Sequence, residues 1–91
     1  MKELRVRVIG RVQGVFFRDF TKRKAGQLDL VGYVSNKWDG SVEVVAQGEE
    51  ETLKIFLEHL GEGPPSAEVR DMEVEWINES TQEYERFSIA G

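Results

Sequence analysis

The chain has 91 residues, room for one small core, with no cysteine and a formal net charge of −5. Without cysteine there is no disulfide framework, thiolate metal site or thiol nucleophile. The acidic balance argues against a nucleic-acid or anionic-membrane partner, because both need a basic face.

"LRVRVIG" sets Leu4, Val6 and Val8 on one face and Arg5 and Arg7 on the other, the period-2 mark of a half-buried strand ended by Gly10. The opening "MKELRVRVIG" lacks the apolar run of a signal peptide. No stretch approaches the ~20 apolar residues of a membrane span, so a cytoplasmic location is expected. From Phe17 to Leu28, the residues Phe17, Phe20, Thr21, Ala25 and Leu28 gather at helical spacing, with Lys22 and Arg23 turned to water. Gly26 weakens the last turn of that helix.

"LVGYVSN" and "SVEVVAQG" read as strands, and the Asp-Gly within "NKWDG" between them marks a hairpin. Glu49, Glu50 and Glu51 suit the positive end of a second helix, whose apolar stripe is Leu53, Phe56, Leu57 and Leu60. Gly61 fits its C′ stop, and Gly63-Pro64-Pro65 forbids continuation. "MEVEW" and "RFSIA" are two further strands, with polar "NESTQEYE" as the loop between them. The order is β-α-β-β-α-β plus a short terminal strand. Each helix has one apolar stripe, so both must cover one face of a mainly antiparallel sheet. The expected class is therefore α+β, a ferredoxin-like split βαβ sandwich, with no internal domain boundary. That scaffold hosts many functions and names none.

Charge is spread unevenly. Residues 1–24 carry eight Lys and Arg against two acids, +6, whereas the remainder carries four against fifteen, −11. A basic end of this kind either attracts a small anion or balances acidic neighbours across the sheet. Several chemistries can be set aside. No Lys-Ser/Thr follows Gly14, so "GRVQG" is not a P-loop, and it is not G-x-G-x-x-G. The one histidine, His59, reads as a solvent-facing helical residue. Glu49–Glu51 read as a helix N-terminus and Glu73/Glu75 as the wet face of a strand, rather than a metal site. An RNA-binding sheet would need paired aromatics in a basic strand, which the strand holding Glu43 lacks.

"GRVQGVFFR", Gly10 to Arg18, joins a strand end to a helix start. A helix N-terminus exposes unpaired N–H groups. Glycines at 10 and 14 permit a backbone that other residues cannot adopt, and successive N–H groups can then form an anion nest. Arg18 would add a fork of donors matched to phosphate oxygens. The alternative from these residues alone is a tight βα loop whose arginine meets carboxylates or water. Phe16 and Phe17 alternate in direction, so one is expected in the core and the other is a candidate for the pocket wall.

"GRVQGVFFR" resembles the acylphosphatase signature, Gly-x-Val-Gln-Gly-Val-x-Phe-Arg, at every fixed position. "GYVSNKWDGSVEVVAQG" is similar to the family's second pattern through Gly32, Tyr33, Val34, Asn36, Gly40, Val42 and Gly48. The "GPP" after the second helix and the closing "F-x-I" extend the likeness over nearly the whole chain. Two positions depart. Ser35 replaces a longer or basic residue and is expected on the sheet face opposite Asn36, while Asp29 stands where many relatives end a helix with glycine. The resemblance implies hydrolysis of acyl phosphates, R–CO–OPO₃²⁻, to a carboxylate and inorganic phosphate, the latter also a competitive ligand. It implies a phosphate-binding loop of Arg11, Val12, Gln13, Gly14, Val15, Phe16, Phe17 and Arg18, with Arg18 the principal charged ligand and Asn36 orienting the attacking water. No metal, cofactor or phosphoenzyme is implied, and a monomer is expected. The alternatives are a non-catalytic anion-sensing domain, which needs no Asn36, and a piece of a larger carbamoyl-transfer protein. Met1 and a closing strand at residues 87–90 favour a single standalone acylphosphatase-like domain over residues 1–91.

Overall fold

The computed structural model describes residues 1–91. The elements are β1 (Lys2–Arg11), α1 (Phe17–Gln27), β2 (Val31–Asn36), β3 (Val42–Gly48), α2 (Glu50–Glu62), β4 (Glu68–Ile77) and β5 (Phe87–Ile89). They form one sheet in the order β4-β1-β3-β2-β5. β1 pairs antiparallel with β3 (Val6 opposite Val44) and with β4 (Val6 opposite Val74), and β5 adds in parallel to β2. This is the βαββαβ arrangement that the order of elements predicts.

Alternation decides the two faces. Leu4, Val6 and Val8 are buried with Val34, Val42 and Val44 beneath the helices, which contribute Phe17, Ala25, Leu53, Phe56 and Leu60. Phe56 meets Phe87 edge-on at 6.0 Å, so the short β5 is locked to the second helix. Thr21 belongs to the buried stripe because its hydroxyl donates to the Phe17 carbonyl at 2.8 Å. Of the paired phenylalanines, Phe17 enters the core and Phe16 is exposed.

One detail departs from the sequence reading and two add to it. Gly61 does not stop α2; it lies inside the helix, against the Met72 side chain. The stop is Gly63, at φ 68°, whose N–H donates to the His59 carbonyl at 2.9 Å just before Pro64 ends any helical continuation. Val74 and Trp76 stay partly exposed because β4 is the sheet's edge strand, at the margin of the helix layer. Asp29 takes the left-handed backbone, φ 54°, that a helix-ending glycine would adopt more easily.

The connection after β4 reads as a loop and is one, but it folds back onto the open sheet face. There Glu3 is fully buried and accepts from Arg5 Nε (2.6 Å), Gln47 Nε2 (3.0 Å) and Ser80 Oγ (2.7 Å). Gln47 Nε2 also donates to the Gln82 carbonyl, and Tyr84 packs edge-on against Tyr33 at 5.8 Å. Burial opposes ionisation of Glu3, but the hydrogen bonds from Ser80, Arg5 and Gln47 outweigh it and hold its pKa below the ordinary value.

The folded Glu3 carboxyl keeps its charge to lower pH than an unfolded glutamate, so unfolding takes up a proton in the window between the two. Its stabilisation is complete above the unfolded pKa and disappears as pH falls through the folded one. Glu3→Ala is expected to cost about 2–3 kcal/mol at neutral pH by orphaning three donors. Urea titrations at several pH values should give a smaller acid-side loss of stability for Glu3→Gln than for the parent chain. Equal acid-side losses would contradict the assignment.

Candidate active site

The strand-to-helix junction is shaped by two glycines with different reasons. At Gly10 (φ 141°) a side-chain carbon would lie 2.1 Å from the Glu68 carbonyl oxygen, so only glycine lets β4 pass at the bulge after Ile9. Gly14 (φ 71°) has open space around it, and its reason is conformational alone. Phe16 follows at φ 64°, a left-handed conformation rare for a bulky residue. The first helical bond of α1 runs from the Phe20 N–H to the Phe16 carbonyl at 3.0 Å. The N–H groups of residues 14–18 therefore donate to no carbonyl of the chain. Helix-start donors and left-handed turns together make a concave, partially positive surface.

The loop is held in place by its side chains. Val12 and Phe17 are buried in the core on either side of it. Gln13 Nε2 donates to the carbonyls of Lys37 (2.8 Å) and Ser41 (2.9 Å), tying the loop to the β2–β3 hairpin. Arg11 Nη2 donates to the Ser66 carbonyl at 3.2 Å, and Ser66 Oγ donates to the Val15 carbonyl at 2.7 Å. The side chains of Arg11 and Gln13 thus hold the loop in shape, while the backbone N–H groups of residues 14–18 keep no acceptor within the chain.

Arg18 stands half-buried in the first turn of α1, with no side-chain carboxylate paired to it. Its Nη1 donates to the Gly91 carbonyl oxygen at 2.6 Å, and the Asn36 N–H donates to the same oxygen at 3.0 Å. Residues 18 and 36, on different elements, are thereby brought to one point. Asn36 ends β2 on the face shared with buried Val34, and Ser35 points the other way, as alternation requires. The Asn36 Oδ1 atom is buried and meets no donor of the chain. Buried acceptors almost always have a partner, so this one stands out.

The charge split resolves in the same terms. On the open sheet face, Arg5 pairs with Glu3, and Arg7 pairs with Asp39 and with Glu73 (2.9 Å). Ser41, Arg7 and the Ser41 N–H hold Asp39 well below the usual carboxylate range. The largest concavity, about 580 Å³, lies over these strand residues and the exposed Trp38. Its cations already have partners, including Lys37 with Glu43 at 3.2 Å. Arg11 and Arg18 donate to backbone oxygens and pair with no side-chain carboxylate. His59 stays on α2, remote in role, and no three His, Asp or Glu side chains converge as metal ligands. Sequence reasoning missed Ser66 and Gly91. The only local signal was "GPP", read as a helix stop.

The acylphosphatase family profile matches residues 4–89. The acylphosphatase of Thermotoga maritima is 50% identical over 90 residues, covering 98% of this chain and 97% of that protein. The crystal structure of an acylphosphatase from Bacillus subtilis superposes with a TM-score of 0.95 at 41% identity, covering all of both chains. A similar domain occurs in full-length HypF, solved in a phosphate- and nucleotide-bound form (TM-score 0.88, 30% identity), where 99% of this chain spans 12% of the larger one. With a family match over nearly its whole length and relatives this close at both ends, the chain belongs to the acylphosphatase family and is an acylphosphatase, a hydrolase of acyl phosphates.

Proposed function

We propose that Arg18 and the N–H groups of residues 14–18 hold the phosphoryl group of the acyl phosphate, and that Asn36 Oδ1 orients the water that attacks phosphorus. The observation that carries this reading is a guanidinium with no side-chain carboxylate and five N–H donors with no acceptor in the chain, the guanidinium being joined through the Gly91 carbonyl oxygen to the residue whose buried amide oxygen meets no donor. An anion-sensing domain has use for the first two and none for the third. The unbroken sheet from Lys2 to Ile89 supports treating residues 1–91 as one acylphosphatase-like domain, and we take it to act as a monomer.

The chemistry needs little beyond position and charge. Water adds to phosphorus, the bond from phosphorus to the acyl oxygen breaks, and its electron pair leaves on the carboxylate. The proton lost by water ends on the phosphate or in solvent. A carboxylate is a good leaving group and the transition state is loose, so no strong base is required. Arg18 and the loop N–H groups meet the equatorial oxygens, where charge is spread. Asn36 Oδ1 accepts from the water and turns its lone pair toward phosphorus. Phosphate, as product, fits the same donors and should compete with substrate.

Loss of benzoyl phosphate absorbance, followed in the presence of EDTA, tests the assignment. Arg18→Ala should lower kcat/KM by at least ~10²–10³-fold, the loss seen when one preorganised charge-stabilising donor is removed, and should also abolish competition by phosphate. Asn36→Ala should lower kcat to a similar extent while leaving the inhibition constant for phosphate within about twofold, because it acts on water and not on the anion. Full turnover in either variant would refute that residue's role. EDTA itself should leave the parent rate unchanged.

A further inference from the structure

We propose that Ser66 is a positioning residue of the phosphate cradle: its hydroxyl sets the plane of the Val15–Phe16 peptide so that the Phe16 N–H faces the bound phosphoryl group. The inference rests on the cradle reading given above.

A trans peptide is planar, and its carbonyl and the following N–H point in opposite directions. Ser66 Oγ donates to the Val15 carbonyl at 2.7 Å and so pulls that oxygen away from the loop's concave side, toward the turn after α2. The N–H on the far side of the same bond, that of Phe16, must then point into the concavity. It is one of the donors left without an acceptor in the chain.

The backbone at Phe16 needs such a hold. Its φ of 64° is costly for a bulky side chain and persists only where neighbours over-determine it. The Phe16 ring supplies no anchor, since it is 75% exposed. The anchors are therefore Phe17 in the core on one side and Ser66 on the carbonyl on the other.

Ser66 is itself well placed to act as a fixed post. Pro64 and Pro65 pre-set the chain before it, and the Ala67 N–H closes the turn on the Pro64 carbonyl at 3.0 Å. Arg11 Nη2 grips the Ser66 carbonyl from the other end of the loop. At Gly63 a side-chain carbon would come within 3.2 Å of the Phe17 ring, so glycine lets this turn sit close to the start of α1. Both ends of the cradle loop are thus bound to one rigid turn, 51 residues away from Val15 in the chain. The Ser66 proton is committed to Val15, so Ser66 acts through the peptide and not on the substrate.

The test compares the parent protein with Ser66→Ala, Ser66→Thr and Arg18→Ala. It measures kcat and KM for benzoyl phosphate, the inhibition constant of inorganic phosphate, and the amide NMR signal of Phe16 as phosphate is added. Ser66→Ala should raise KM and the phosphate inhibition constant by about fivefold, the worth of one ordinary hydrogen bond. kcat should stay within about twofold, because a donor used equally in ground and transition states acts on binding. The Phe16 amide shift on phosphate saturation should shrink in Ser66→Ala and return in Ser66→Thr, which keeps the hydroxyl. An unchanged inhibition constant and Phe16 shift in Ser66→Ala, or a defect that threonine fails to restore, overturns the proposal. If Arg18→Ala also leaves phosphate inhibition intact, the cradle reading itself fails and takes this inference with it.

Discussion

A backbone N–H that bonds within its own chain is lost to a ligand, so an anion site made of backbone has to keep its donors unmatched while staying rigid. On the proposed reading, that constraint organises this molecule. The donors of residues 14–18 are left open at a helix start, and the surroundings do the work that internal hydrogen bonds do elsewhere. Val12 and Phe17 clamp the loop from the core, Gln13 fastens it to the β2–β3 hairpin, and Arg11 and Ser66 fasten it to the turn after α2. The same tie through Gln13 fixes the distance from the loop to the hairpin that begins just after Asn36. Stability and reactivity therefore draw on one set of contacts.

Charge follows the same division. An arginine on the open sheet face is a structural element: Arg7 binds Asp39, Glu73 and the Ser41 hydroxyl at once. An arginine in the first turn of α1 has only a carbonyl oxygen for company. Part of the acidic remainder of the chain is taken up in ion pairs, and none of it pairs with the guanidinium that faces the candidate site. A dianionic substrate meets a small positive mouth on an otherwise acidic body, an arrangement that favours a single compact anion over a polyanion.

Much of this could be read from sequence because the signals were periodic or local. Leu4, Val6 and Val8 announce a one-sided strand, and Leu53, Phe56 and Leu60 an amphipathic helix. Arg18 and Asn36 are singled out only by the resemblance of two glycine-flanked motifs to a known family, since the residues alone leave a plain loop and a turn former open. What escaped was non-local. Nothing near Ser66 in sequence indicates Val15, and a polar "NESTQEYE" gives no hint that Ser80 will reach a buried Glu3. The α2 stop was misread at Gly61 because two glycines two residues apart both fit a C′ position. Only the positive φ at Gly63 and the proline after it decide between them. Alternation likewise leaves the exposure of Trp76 undecided: it says which face a side chain takes, but not whether its strand lies at the sheet's edge.

The site is assembled from points scattered along the chain: residues 11–18, the end of β2, the turn at Ser66 and Gly91. β1, which leads into the loop, pairs with β4, from Glu3 opposite Ile77 to Arg11 opposite Glu68. Loop-closure entropy must be met before such distant contacts form, so a fold of this topology is slow to reach its native state compared with a helical bundle of equal length. No early, locally structured fragment contains a complete anion site. On the proposed reading, affinity for phosphate is a property of the finished molecule alone, and by mass action phosphate in the medium would draw the folding equilibrium toward completion. The product of the reaction would then also be a ligand that stabilises the fold that makes it.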